Sequence, residues 1–76
     1  MHEAAMSRKP PNRIAAACIA ETLATELAAG AARHRQEGRS ETAEALLQHV
    51  RRHRVRAIRL RALAGAEHYG AISAPR

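Results

Sequence analysis

Residues 36–40 limit the possible fold most strongly, because one helical pattern ends there and another begins. Gly38 suits the position just after a helix, where the backbone needs a positive φ. Ser40 suits the N-cap of a following helix, with Glu41 and Glu44 placed to favour its dipole. A connection this short makes the two helices antiparallel neighbours. The sequence therefore predicts an all-α protein based on a two-helix antiparallel hairpin.

The first helix is predicted over residues 13–36, which are rich in Ala, Leu, Glu and Arg. Pro10 and Pro11 prevent a helix from running in from upstream, and Asn12 is a suitable N-cap. Residues 1–11 are therefore expected to form a flexible polar leader.

The second helix is predicted over residues 41–64, because Gly65 is a natural stop signal. The hairpin then occupies residues 12–65. The remaining residues, 66–76, are expected to form a short turn and a loose tail.

Each predicted helix carries an aliphatic stripe on one face, at about 100° per residue. In the first helix the stripe comprises Ala16, Ile19, Ala20, Leu23, Leu27 and Ala31. In the second it comprises Ala43, Leu46, Leu47, Val50, Ala57 and Ile58. Two helices of this length bury only part of such stripes. We therefore expect the hairpin to form a four-helix bundle as a homodimer, or to dock on a protein partner.

The residues expected at that partner or dimer interface are Ile19, Leu23, Leu27, Leu46, Leu47, Val50 and Ile58. Pairing the helices about Gly38 also places Glu21 level with Arg54, which points toward the aliphatic stripe. We therefore predict a salt bridge between these two side chains.

Residues 48–63 are strongly basic, with six arginines and no acidic residue anywhere between Glu44 and Glu67. The chain has a formal net charge of +6, and a basic helical face of this kind attracts polyanions. The arginines expected to contact nucleic acid are Arg51, Arg52, Arg56, Arg59, Arg61 and Arg13. Both DNA and RNA carry the phosphate charges that such a face would bind. The sequence predicts a small regulatory or architectural nucleic-acid-binding protein.

Two other interpretations of the basic face stay open. It could dock on an acidic protein, or it could be a solvated face in a proteome that favours arginine. The alternative function is a protein-binding accessory, such as an adaptor, an inhibitor or antitoxin-type partner, or a minor subunit, that uses the Leu/Ile stripe.

The sequence favours neither an enzyme nor a cofactor or metal protein. Asp is absent, and no nucleophile triad or paired carboxylates can be assembled. His49 and His53 share a helical face, but no third ligand is evident and the arginines around them repel a cation. The lone Cys18 fits a reducing cytoplasm. No apolar run is expected to span a membrane, and the absence of Trp and Phe argues against a membrane-surface role.

Overall fold

A computed structural model describes residues 12–73, which form two helices packed against each other. Helix α1 spans Arg13–Gln36, and helix α2 spans Ser40–Ser73. The all-α antiparallel hairpin is therefore confirmed. The predicted leader, residues 1–11, lies outside the described residues, as does the end of the predicted tail, residues 74–76.

Helix α1 begins where its N-cap residue predicts. Asn12 has an extended backbone conformation, with φ −90° and ψ 96°. Its side-chain oxygen accepts a hydrogen bond from the Ala15 N–H at 3.0 Å, and its carbonyl accepts one from the Ala16 N–H at 3.1 Å. The first bond satisfies an N–H group of the first turn that has no partner within the helix, and the second is the first regular bond of the helix.

The turn after α1 is a Schellman motif centred on Gly38, which has a φ of +83°. The Arg39 N–H donates to the His34 carbonyl at 2.8 Å, and the Gly38 N–H donates to the Arg35 carbonyl at 3.1 Å. This pair of bonds defines the motif and needs a left-handed residue at Gly38. The predicted N-cap at Ser40 is wrong by one residue, because the Arg39 carbonyl already accepts the Ala43 N–H at 3.0 Å.

Replacing Gly38 by Ala should destabilise the hairpin by about 1 kcal/mol, since a residue with a Cβ rarely adopts this φ. No atom lies within 4 Å of an added Cβ, so backbone strain is the only cost. Gly65→Ala is the matched control, because Gly65 is helical and also has open space around it. That change should stabilise the protein by roughly 0.5–1 kcal/mol. Chemical denaturation of both variants measures the two values, and shifts of the same sign would contradict the prediction.

Helix α2 is longer than the sequence predicts. It continues past the predicted end at Ala64, runs through Gly65 and Gly70, and ends at Ser73. A glycine inside a helix costs only about 1 kcal/mol relative to Ala, and Gly65 lies between strong helix formers. The extension is also tied to α1, because Glu67 accepts a hydrogen bond from the Arg13 Nε at 2.8 Å.

The core between the helices is built almost entirely from alanine. Its buried residues are Ala17, Ala20, Ala24 and Ala31 of α1, with Ala43, Val50, Ala57 and Leu60 of α2. Val50 is the largest fully buried side chain among the described residues. Small side chains let two helices approach closely, and the alanine row of α1 makes this contact possible.

The predicted aliphatic stripes are therefore only partly correct. Ala20, Ala31, Ala43, Val50 and Ala57 are buried as predicted. In contrast, Ile19 is 62% exposed, Leu23 41% and Ile58 67%. Close contact between the alanine rows turns these larger side chains away from the opposite helix and leaves them at the edges of the hairpin.

Three ion pairs join the two helices across their line of contact. The Arg61 guanidinium donates two hydrogen bonds to Glu21, at 2.6 and 3.1 Å. Arg35 donates to Glu44 at 2.8 Å, and Arg13 pairs with Glu67. The predicted Glu21–Arg54 salt bridge is wrong, because Glu21 pairs with Arg61.

The direction of the side chains explains why Arg61 is the partner. Ala20 and Ala57 belong to one buried cluster, so Glu21 lies near the level of Ala57, between Arg54 and Arg61. Side chains on a helix tilt toward its N-terminus. In an antiparallel pair, Glu21 and Arg61 therefore lean toward each other, whereas Arg54 leans away from Glu21.

Replacing Arg61 by Ala should destabilise the hairpin slightly at neutral pH, and more than Arg54→Ala does. The hydrogen bonds from Arg61 hold the pKa of Glu21 below its usual value. A carboxylate whose pKa is lower in the folded state contributes stability above its unfolded pKa, and this is lost as the pH falls through the lowered pKa. The urea midpoints of the two variants should therefore converge in acid. Equal midpoints at neutral pH would contradict this assignment.

Candidate nucleic-acid interface

The outer face of α2, which points away from α1, carries an open groove of about 620 Å³. Its lining residues are Arg13, Gln48, Arg51, Arg52, Val55, Arg56, Arg59, Leu60 and Leu63. Five of the six predicted nucleic-acid contacts are therefore brought to one surface. We call this surface the arginine face.

The four α2 arginines of this face are exposed, and none has an acidic partner within salt-bridge distance among the described residues. These arginines are Arg51, Arg52, Arg56 and Arg59. The acidic residues nearest to them in sequence, Glu44 and Glu67, are paired across the helix contact with Arg35 and Arg13. Within residues 12–73 the charges are thus separated, and the arginine face carries positive charge that no acidic residue of this range neutralises.

Arg61 does not belong to the arginine face. Its Nε and Nη2 both donate to the Glu21 carboxylate, and its Nη2 also lies 3.8 Å from the Cys18 sulfur. The hydrogen bonds to Glu21 raise the pKa of Arg61 above its usual value. The side chain is engaged in joining the two helices, so the predicted contact of Arg61 with nucleic acid stays a prediction that the arginine face does not include.

Arg13 has two roles at the edge of the arginine face. It lines the groove, and its Nε is bonded to Glu67. Its side chain is 29% exposed, less than those of Arg35, Arg39 and Arg61 in the other ion pairs. Arg13 therefore contributes less free positive charge to the groove than the four α2 arginines do.

The floor of the groove is apolar, a feature that the sequence analysis missed. Val55 and Leu63 are 45% and 48% exposed, and they lie among the arginines. The signal was present in the sequence, because Arg52, Val55, Arg59 and Leu63 alternate at spacings of three and four residues. Such spacings place all four side chains on one face of a helix.

The predicted interface residues divide into three groups. Val50 is 2% exposed and packs within the hairpin, so it is not available to a partner. Leu27, Leu46 and Leu47 are half-buried between the helices. Ile19, Leu23 and Ile58 are exposed, and Ile19 and Leu23 line a smaller groove of about 260 Å³ with His53 and Arg56.

Helix α1 is long and apolar enough to cross a membrane by length and composition, contrary to the sequence-based expectation. Its most apolar window has a mean hydropathy of 1.4. This is weak evidence for a membrane span, because the core helix of a soluble protein meets the same criterion. Only 22% of that window is buried in the hairpin, so most of the apolar helix faces outward.

Metal-binding side chains are not clustered in the part of the chain that the structure describes. No group of three or more His, Cys, Asp or Glu residues there could hold a metal ion. His34 is instead used in the turn, where its Nδ1 accepts a hydrogen bond from the Arg39 Nε at 2.8 Å.

Comparisons with protein-family models, with curated proteins and with solved structures found no match for this chain.

Proposed function

We propose that this protein is a small, non-enzymatic nucleic-acid-binding protein that uses the arginine face of α2. The observation that carries this proposal is the separation of charge in the hairpin. Arg51, Arg52, Arg56 and Arg59 converge on one groove without an acidic neighbour among the described residues. Unpaired arginines on one helical face are the electrostatic footprint expected of a phosphate-binding surface.

The dimensions of this face support contact with a nucleic-acid backbone. Arg52, Arg56 and Arg59 cover about 10 Å along the helix axis, at 1.5 Å per residue. Helix α1 packs mainly on the opposite side of α2, so among the described residues only Arg13 of α1 borders the basic side, which can enter a groove about 12 Å wide. Tyr69 is the only aromatic residue of the chain, so stacking on bases is a minor term. Phosphate and shape contacts are therefore expected to dominate over base readout.

The salt dependence of binding tests this proposal. Fluorescence anisotropy should show the protein binding duplex DNA or structured RNA with micromolar affinity or tighter at near-physiological salt. Neutralising four phosphates of duplex DNA gives a slope of about −3 to −4 in log affinity against log salt. Binding that is seen only at low salt, or a slope near zero, would reject the arginine face as a nucleic-acid site.

A second candidate function is a protein-binding accessory, favoured by the exposed aliphatic residues. Ile19, Leu23 and Ile58 are all more than 40% exposed in a hairpin with a mostly alanine core. A foreign helix packed over Ile19 and Leu23 on one side of the hairpin, or over Ile58 on the other side, would extend that core. This function predicts a chain that is monomeric and only partly helical alone, and that gains helicity when its partner is added. Circular dichroism and sedimentation of the isolated chain distinguish the two candidates.

A further inference from the structure

The apolar edge of the hairpin lies on one side of the contact between α1 and α2. Ile19 and Leu23 line the 260 Å³ groove there together with Ala16 and Ala20, and His53 and Arg56 of α2 form its opposite wall. The other side of the hairpin is polar by comparison, because its groove is lined by Glu21, Thr25 and Arg54 in addition to Ile58. A partner that covers apolar surface should therefore bind on the Ile19–Leu23 side.

The charges on the two helices differ in sign along this edge. Helix α1 has no basic residue between Arg13 and Arg33. Of its two acidic residues there, Glu21 lies on the other side and pairs with Arg61, so Glu26 supplies the negative charge of this edge. Glu26 is exposed and follows Leu23 on the same helical side, and no cation lies within salt-bridge distance of it among the described residues. The α2 wall of the edge is basic, since it presents His53 and Arg56. The edge is thus self-complementary if α1 of one chain meets α2 of another.

We infer that a second copy of this chain covers this edge, and that the dimer holds two nucleic-acid segments together. The inference rests on the proposed function for the second step. A two-fold axis parallel to the helices places each α1 on the partner's α2, which brings Glu26 toward basic side chains. An axis perpendicular to the helices stacks α2 on α2 and opposes like charges, which is unfavourable.

The arrangement has a direct geometric result. In each hairpin Arg51, Arg52 and Arg59 of the arginine face point away from α1, whereas Arg56 borders the covered edge. The parallel two-fold axis turns one hairpin by half a revolution relative to the other. The two arginine faces therefore point in opposite directions, and each can contact a separate segment.

The contact is large enough for a stable dimer. Two helices, each about 10 Å wide and about 36 Å long, offer roughly 700 Å² per chain, which is a standard interface size.

A bridging experiment with matched variants tests this inference. Protein is mixed with an immobilised duplex and a second, fluorescent duplex, and capture of the second duplex is measured together with the oligomeric state by sedimentation. The wild-type protein should be a dimer and should capture the second duplex. The Ile19→Gln/Leu23→Gln double variant should dimerise at least roughly tenfold more weakly. It should still bind a single duplex but lose capture. Ile58→Gln is the control, because Ile58 is equally exposed on the other side, and it should behave as wild type.

A charge variant keeps the test valid if the double variant loses its helical structure. Glu26→Arg leaves every aliphatic residue in place, and it should weaken the dimer and capture while the circular dichroism spectrum is retained. An unchanged or tighter dimer would overturn the packing of α1 on α2.

The remaining outcomes separate the two proposals. Binding of a single duplex without capture of a second overturns the bridging dimer and leaves the proposed function standing. A wild-type chain that is monomeric at all concentrations also overturns the dimer, and assigns the edge to a foreign protein. If no nucleic acid binds, the proposed function fails and bridging fails with it, whereas dimerisation is still measured independently by sedimentation.

Discussion

Replacing Arg52, Arg56 and Arg59 together by Ala is expected to lower the affinity for duplex DNA roughly 100-fold at near-physiological salt. Each phosphate contact that is lost removes about 0.9 from the slope of log affinity against log salt. The slope should therefore become shallower by about 3. The three side chains are exposed and have no ion-pair partner among the described residues, so the hairpin should keep its helical content.

A control of equal charge separates the arginine face from the net charge of the protein. Arg33, Arg35 and Arg39 lie at the turn end of the hairpin, and replacing them by Ala removes the same three positive charges. Anisotropy titrations should show a much smaller loss for this control. Equal losses for the two triple variants would mean that binding follows net charge and that the arginine face has no special role.

The second large effect concerns the alanine contact between the helices. Ala17→Leu should destabilise the hairpin by about 1–3 kcal/mol, because Ala17 is 0% exposed and lies in the buried cluster between the helices, where three more carbon atoms overpack the contact. The core holds few large side chains, so this loss is large relative to the total stability. Thermal denaturation followed by circular dichroism measures it.

The matched control removes three carbon atoms at an exposed position. Ile58 is 67% exposed, and Ile58→Ala should change the stability by no more than about 0.5 kcal/mol. In most helical proteins, changing an isoleucine lowers the stability more than changing an alanine, and the opposite is expected here. A larger loss for Ile58→Ala than for Ala17→Leu would show that the aliphatic residues, and not the alanines, form the helix contact.

The ends of α1 and the antiparallel hairpin could be predicted because their signals are local. Asn12 acts through its own side-chain oxygen, and Gly38 acts through its own φ. The arginine face could also be predicted in part, since Arg52, Arg56 and Arg59 recur at spacings of four and three residues on one side of the helix. In each case the determinant lies within a few residues of the feature that it controls.

The face of α1 that packs against α2 could not be predicted from the spacing of its aliphatic residues. The spacing of the large aliphatic residues predicts which face of a helix is buried. In this helix it is not decisive, because alanines, which can also be buried, occur on nearly every side. The contact is decided by how closely the two helices can approach, and this depends on both surfaces at once. Ile19 and Leu23 were therefore expected inside, although the alanine row is what meets α2.

The partner of Glu21, which is Arg61 and not the predicted Arg54, could not be predicted for a similar reason. Counting residues from the turn gives the level of each Cα atom, but not the lean of each side chain along its helix. In an antiparallel pair this lean brings together residues that are about a turn apart by level. The end of α2 differs from the prediction for another reason, because Gly65 is helical and costs only about 1 kcal/mol relative to Ala.

The single turn at Gly38 also determines the order in which the hairpin forms. Contacts near the turn, such as Arg35 with Glu44, join residues close in sequence, whereas Arg13 and Glu67 close a loop of most of the chain. Loop-closure entropy grows with that separation, so the helices should zip from the turn toward the open end. Amide hydrogen exchange should therefore be slowest near Ala43 and fastest beyond Gly65. The C-terminal half of α2, which carries most of the arginine face, should therefore pack on α1 late in folding. A bound polyanion should slow the fraying of this half of the helix.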